Sequence, residues 1–181
     1  MEPREPRKRI KYEPKGVPAI QDELEFIKNK CSDHARKIFV QIENVHVELW
    51  FDKHYHDRHQ HGDDEGKREG IDPKTVEALV RKSLKHLLFY SSAIAGFKFV
   101  NFGPSQPPAR VVLQEELEGS QLNVVIEAHF LDIKSCEITV KTAMCTDDFR
   151  ISMGQYCIEI QGDNSILRRK DNNRIVEICS I

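Results

Sequence analysis

Residues 71–88 read IDPKTVEALVRKSLKHLL and lie between a short helical part of the chain and a long strand-rich part. Asp72 followed by Pro73 is typical of a helix start, because Asp accepts hydrogen bonds from free backbone N–H groups and proline fits the first helical position. Apolar residues then recur every three or four positions and form one stripe: Val76, Leu79, Val80, Leu84, Leu87 and Leu88. The stretch predicts a core-facing amphipathic helix that ends near Gly96.

The sequence before this helix predicts a hairpin and short helices. Residues 37–42 and 45–51 are rich in β-branched and aromatic residues, and the second run alternates cleanly, which favours a β-hairpin. A short helix is expected after Asp52, its N-cap, and an earlier one over about 20–30. Residues 1–18 hold four prolines and are expected to form a flexible arm ahead of a single domain, 19–181.

The chain after the long helix predicts strands. They are expected at 97–102, 110–117, 122–131 and 138–144, followed by a closing meander over 149–161, 165–169 and 174–180. Because strands and helices are segregated along the sequence, the predicted class is α+β rather than alternating β and α units. We expect an antiparallel sheet with an N-terminal hairpin and two to three helices packed on one side.

Composition limits the function classes. The chain has 181 residues, which fits one domain, and no apolar run approaches the roughly 20 residues of a membrane span. Five cysteines without C-x-x-C spacing predict reduced thiols in a cytoplasmic protein rather than disulfides or a Cys-based zinc site. The formal charge of −2 argues against a non-specific nucleic-acid binder, so DNA is not an expected partner. It does not exclude a local basic surface.

Residues 53–62 read KHYHDRHQHG and hold four of the eight histidines. Histidine gains and loses a proton near neutral pH and also binds metal ions. On a helix, His54, Arg58 and His61 share one face, because they are spaced i, i+4 and i+7. Three functions suit this segment: metal-free RNA cleavage, metal binding and a non-catalytic contact with another protein.

Metal-free RNA cleavage needs two proton carriers and a cation. One group takes the proton of a 2′-hydroxyl, another protonates the leaving 5′-oxygen, and Arg or Lys stabilises the extra charge on phosphorus. His54 suits a general base or acid, and Arg58 suits a phosphate clamp. His59 or His61 would be the second proton carrier. This hypothesis expects RNA as partner and no cofactor or metal ion.

Further residues are expected to assist this reaction. The strand 138–142, ITVKT, adds Lys141 and the hydroxyl of Thr142. Tyr55 could stack on a base. Lys82 and Lys85, on the basic flank of the long helix, are candidate substrate contacts.

The order of these elements carries a family resemblance. A helix with His and Arg, a segment ending in Gly-Ile-Asp-Pro, an amphipathic helix and strands with an ITVKTA run resemble the small bacterial RNase toxins of the barnase, EndoU, colicin and RelE-like superfamily. The resemblance covers about 46–145 and implies an endoribonuclease with a four-stranded sheet against helices. It implies site positions at His54, Arg58, Thr139, Lys141 and Thr142. The chain departs from these toxins in its acidic balance, its N-terminal arm and residues 146–181.

Two alternatives remain open from the residues. A His-rich surface suits a protein-interaction module whose partner would be an inhibitory or scaffold protein. A His-ligated metal-binding protein is the other, since His54 and His56 form H-x-H. Oxygen donors follow nearby: Asp57, Asp63, Asp64 and Glu65.

Overall fold

A computed structural model describes the chain over residues 26–42, 45–62, 70–103 and 107–181. Within these ranges nine strands form one mixed sheet, accompanied by two helices. The predicted arm, 1–18, lies outside the described residues, so the domain prediction stays a prediction there.

The elements follow the chain in a simple order. A first hairpin, β1 (Ala35–Ile42) and β2 (Val45–Asp52), leads into α1 (Lys53–His61) and α2 (Pro73–Ala93). The remaining strands are β3 (Val100–Asn101), β4 (Arg110–Leu117), β5 (Ser120–Asp132), β6 (Ser135–Cys145), β7 (Tyr156–Gln161), β8 (Asn164–Asp171) and β9 (Arg174–Ser180).

The sheet is mixed, with strand order β1-β2-β6-β5-β4-β7-β8-β9, and β3 pairs with β5 beside this path. Its centre is the antiparallel meander β4-β5-β6. The outer parts join this meander in parallel: β2 pairs with β6, and β7 pairs with β4. The predicted antiparallel sheet with two to three helices on one side is therefore wrong, and the described fold is mostly β. Side-chain alternation identifies a strand but does not determine which partner it takes or in which direction.

The helix expected over 20–30 is not present in the part of that range that is described. Residues 26–30 are not helical, and Ile27 makes a two-bond bridge to Ala35, with N···O distances of 2.8 and 2.9 Å. The Asn29 side chain then turns the chain by accepting hydrogen bonds from the backbone N–H groups of Cys31 and Ser32. An Asx turn of this kind competes with helix formation.

The long helix α2 is confirmed at its predicted start. The Asp72 side chain accepts a hydrogen bond from the backbone N–H of Lys74 at 2.6 Å, and Pro73 opens the helix. The helix ends at Ala93 rather than at Gly96, and the backbone N–H of Ile94 closes it on Tyr90. Neither helix in the described ranges is long and apolar enough to cross a membrane.

The main core lies between one face of the sheet and α2. Alternate residues of the strands supply it from the sheet, as the pleat requires. The contributing sheet residues are Val47, Leu49, Phe51, Val111, Leu113, Leu122, Val124, Ile126, Ala128, Ile138, Val140, Ala143, Ile158, Ile160 and Leu167. The short helix α1 reaches the same core through the ring of Tyr55. Both helices are thus anchored by apolar contacts.

The opposite face of the sheet is only partly covered. Phe149 and Ile151, in the segment between β6 and β7, pack over Val112, Val125 and Cys157. Toward β2, the same face carries polar and charged side chains of β5 and β6. A concave surface is left between the covered part and α1.

Neighbouring leucines on α2 test this assignment of the core. Leu87 is fully buried and Leu88 is 49% exposed. We expect Leu87→Ala to lower the free energy of unfolding by about 2–5 kcal/mol, because it removes buried contacts and leaves a cavity. Leu88→Ala, the matched control, should change it by no more than about 0.5 kcal/mol. Chemical denaturation of both variants measures the difference; equal losses would contradict the orientation of α2.

Candidate active site in a basic cleft

A β-bulge on β6 creates the floor of the site. Val125 of β5 pairs with Thr142 and Ile126 pairs with Val140, so Lys141 is an extra residue in the ladder. Val140 and Ala143 both point into the main core. The bulge therefore directs Lys141 and Thr142, which are consecutive, to the opposite face.

Two side-chain links join this bulge to α1. Asp52 accepts a hydrogen bond from the backbone N–H of His54 at 3.0 Å, which caps the helix, and from Lys141 Nζ at 2.5 Å. One turn later, Arg58 donates a hydrogen bond to Thr142 Oγ1. These links place His54 and Arg58 beside the two residues of the bulge.

Asp52 is buried and remains ionised. Burial alone would raise the pKa of its carboxyl, but hydrogen bonds from Lys141 and from the backbone N–H of His54 outweigh this effect. The pKa is therefore below its ordinary value. A charged Asp52 is thus the partner that holds Lys141 in place at neutral pH.

The bulge and α1 form one wall of a cleft of about 930 Å³. The opposite wall comes from the segment 149–156 and from residues near the start of β4. Five cations line the cleft: Arg58, Lys98, Arg110, Lys141 and Arg150. No described residue that lines it is Asp or Glu, so the cleft is strongly basic although the whole chain is slightly acidic.

The five cations differ in whether an acidic side chain pairs with them and neutralises their charge. Lys141 is paired with Asp52, and Arg110 Nε lies 2.9 Å from a carboxylate oxygen of the buried Glu127. Lys98 and Arg150 make no ion pair with any residue in the described part of the chain, and the hydrogen bond of Arg58 goes to an uncharged hydroxyl. The cleft therefore keeps a positive excess that suits an anionic ligand.

Four predicted site residues come together here, and the two other predicted residues, both histidines, do not. The cleft contains His54, Arg58, Lys141 and Thr142. His59 and His61 are exposed on α1 but do not line it. His56 faces inward, where its ring packs edge-on against Phe26 at 5.0 Å between centroids. The geometry thus brings a single imidazole to the cleft.

The three predicted substrate contacts also lie elsewhere. Tyr55 is buried, and its hydroxyl donates a hydrogen bond to the carbonyl oxygen of Ile71 at 2.5 Å. Lys82 pairs with Glu115 at 2.6 Å, and Lys85 pairs with Asp163 at 3.3 Å. None of these three side chains reaches the cleft, so we do not retain them as ligand contacts.

Sequence reasoning missed three cations and an aromatic ring of the cleft: Lys98, Arg110, Arg150 and Tyr156. They come from three separate segments, and no local pattern marks any of them. Their grouping depends on the parallel pairing of β7 with β4, which places the segment 149–156 beside the start of β4. A correct strand order would have been the signal that revealed them.

Metal-ligand geometry occurs away from the His-rich helix. Among the described residues, the donor atoms found close enough together to hold an ion belong to Cys31, Glu127 and His129, within 4.8 Å of one another. Of the acidic residues predicted to assist a His-ligated metal, Asp57 is exposed on α1 and does not belong to this group, and residues 63–65 lie outside the described residues.

Comparison of the chain with protein families, with curated proteins and with solved structures found no match. The geometry of the cleft is therefore the basis for a functional proposal.

The link between Asp52 and Lys141 gives a pH-dependent stability. Because the pKa of Asp52 is lowered in the folded state, its stabilisation is present above its ordinary value of 3.8 and is lost as the pH falls below it. We expect Asp52→Asn to lower the free energy of unfolding at pH 7 by about 1.5–3 kcal/mol, since a charge-assisted bond is lost. The difference from the wild type should shrink as the solution is acidified below pH 3.8. Denaturation curves across this range measure it; a constant difference would contradict the assignment.

Proposed function

We propose that this protein is a metal-independent endoribonuclease, a toxin-like RNA-cleaving domain, that acts in the basic cleft. The observation that carries the proposal is the meeting of His54, Arg58, Lys141 and Thr142 on one concave surface. A proton-accepting imidazole, a guanidinium and an ammonium group are the residue types that this reaction requires.

RNA suits the cleft for two reasons. The arginine and lysine side chains of the cleft match phosphate oxygens, and Arg can bind these oxygens through two parallel hydrogen bonds. Phe149, Met153 and Tyr156 also line the cleft, which gives it apolar and aromatic surface beside the charges. Unstacked bases of single-stranded RNA pack against such surfaces, whereas paired bases in a duplex are not available to do so.

The reaction follows from the groups in the cleft. His54 takes the proton of a 2′-hydroxyl, and the 2′-oxygen forms a bond to the adjacent phosphorus. The bond from phosphorus to the 5′-oxygen breaks, and the 5′-oxygen takes a proton from Lys141 Nζ. The products are a 2′,3′-cyclic phosphate and a 5′-hydroxyl, and exchange with water restores the protonation of both side chains.

The remaining cations stabilise charge rather than move protons. Arg58 is held by Thr142 at the edge of the bulge, and Arg150 lies on the opposite wall. A phosphodiester between the two walls would be contacted from both sides. Donors fixed in advance stabilise the extra negative charge of the transition state without reorganising during the reaction.

A second candidate function is RNA binding without cleavage. It is favoured by the single imidazole, because His59 and His61 do not supply a second proton carrier to the cleft. The non-catalytic contact with an inhibitory or scaffold protein is also still open, and it would use these two exposed histidines.

The free thiols of all five cysteines favour a reducing compartment, in line with the proposed cytoplasmic location.

RNA cleavage in EDTA is the direct test of the proposal. Purified protein should cut a labelled single-stranded RNA and leave a 2′,3′-cyclic phosphate. His54→Ala should lower the rate by about 10²–10⁴-fold, because a general acid–base group is lost. Gel analysis of the products and mass spectrometry of their ends measure both results.

Two controls make this test specific. His59→Ala changes an exposed histidine on the same helix outside the cleft and should retain the wild-type rate. An RNA with one 2′-deoxy residue should resist cleavage at that position only, since the attacking oxygen is missing. Unchanged activity of His54→Ala would remove the proposed mechanism, and binding without any cleavage would favour the second candidate.

The salt dependence of binding tests the location of the RNA. Measured in the His54→Ala background, so that the RNA stays intact, Arg150→Gln should weaken binding and reduce the slope of log K against log salt by about 0.7. Lys82→Gln, a charge-matched control on α2, should leave the slope unchanged because Lys82 is paired outside the cleft. Fluorescence anisotropy at several salt concentrations gives both slopes; an equal effect of the two variants would place the RNA elsewhere.

A further inference from the structure

Three ligand atoms of different chemistry meet on the polar face of β5. The thiol of Cys31, the carboxylate of Glu127 and a ring nitrogen of His129 lie within 4.8 Å of one another. Glu127 is buried, and Cys31 and His129 are partly buried. None of the three lines the basic cleft, so the RNA-cleaving proposal does not use this cluster.

The turn that carries Cys31 is fixed by several hydrogen bonds. The Asn29 side chain accepts from the backbone N–H groups of Cys31 and Ser32 at 3.2 and 2.8 Å, and it donates to Thr139 Oγ1 at 2.6 Å. The backbone N–H of Lys30 donates to the buried Glu137 carboxylate at 2.9 Å. The turn is thus attached to β6 through two consecutive residues that directly precede Cys31, which holds Cys31 beside the sheet.

The other two groups are oriented by the strand and by one neighbour. Glu127 and His129 are two residues apart on β5, so their side chains lie on the same face. His129 Nε2 is 2.9 Å from one Glu127 oxygen, and Arg110 Nε donates to the other at 2.9 Å. Arg110 therefore orients the carboxylate in the manner of the outer partners that support metal ligands.

We propose that Cys31, Glu127 and His129 bind a Zn²⁺ ion. Zinc takes sulfur, nitrogen and oxygen ligands together, whereas Ca²⁺ and Mg²⁺ favour oxygen ligands alone. In the bound state His129 Nε2 turns from the Glu127 carboxylate to the ion, and the thiol loses its proton. Three protein ligands leave a fourth tetrahedral position for water.

The role of this ion is structural. Cys31 belongs to the segment before β1, whereas Glu127 and His129 belong to β5 near the centre of the sheet. Zinc would connect two parts of the chain that β1, β2 and β6 separate in the strand order. Because the ion binds only the folded arrangement, it raises the free energy of unfolding, and this gain increases with the logarithm of the free zinc concentration once that exceeds Kd.

Zinc titration of the full chain tests the proposal. The reduced protein, stripped with EDTA and then freed of chelator, is titrated with zinc chloride against a chromophoric zinc indicator. We expect tight binding of one equivalent and a higher melting temperature in zinc. Cys31→Ser and His129→Ala should each lose this binding, whereas Cys145→Ser and His59→Ala, the matched controls, should retain it.

Cobalt substitution identifies the ligand atom without any variant. Co²⁺ bound at this site should show a thiolate-to-metal charge-transfer band, and zinc should slow alkylation of Cys31 relative to Cys145 in the wild-type chain. This readout also applies if a variant fails to fold. Absence of the band together with unchanged Cys31 alkylation would overturn the proposal. So would zinc binding that survives Cys31→Ser but is lost in His59→Ala, which would assign the ion to the His-rich helix.

Discussion

The buried carboxylate of Asp52 is the interaction on which the candidate site depends. It ends β2, caps α1 through the backbone N–H of His54, and binds Lys141 of the neighbouring strand. Three elements therefore meet at one ionised group. A buried charge is tolerated only when its partners are in place, so the position of α1 relative to β6 is fixed by electrostatics as well as by the packing of Tyr55.

Much of the local structure is predictable from the sequence, because local signals determine it. Asp72 and Pro73 locate the start of α2, and the alternation of residues 45–51 identifies β2. The arrangement of the strands is not predictable in this way. Parallel pairing of β2 with β6 and of β7 with β4 joins segments that are far apart in sequence, and alternating side chains carry no information on direction. The antiparallel prediction was wrong for this reason.

The residues of the candidate site were likewise predictable only in part. His54 and Arg58 are one helical turn apart, so a short motif places them together, and their meeting with Lys141 and Thr142 was expected from a resemblance of element order. The spacing of His59 and His61 suggested proximity as well, but the direction in which each side chain leaves α1 depends on packing. Arg110 and Arg150 join the cleft only through the order of the strands, which no short motif reveals.

Because of the β-bulge, the residue types required by the core and those required by the cleft are constrained separately. Along a regular strand, each position is constrained by the ladder and by the face that it occupies. Lys141 is opposite no residue of β5. The core residues on either side of it therefore face the core whichever residue occupies this position. Natural variation can therefore change the chemistry presented at this position without altering the hydrophobic framework, provided that the buried charge of Asp52 changes with it. An insertion once accepted in the backbone thus becomes a position where new specificities can evolve.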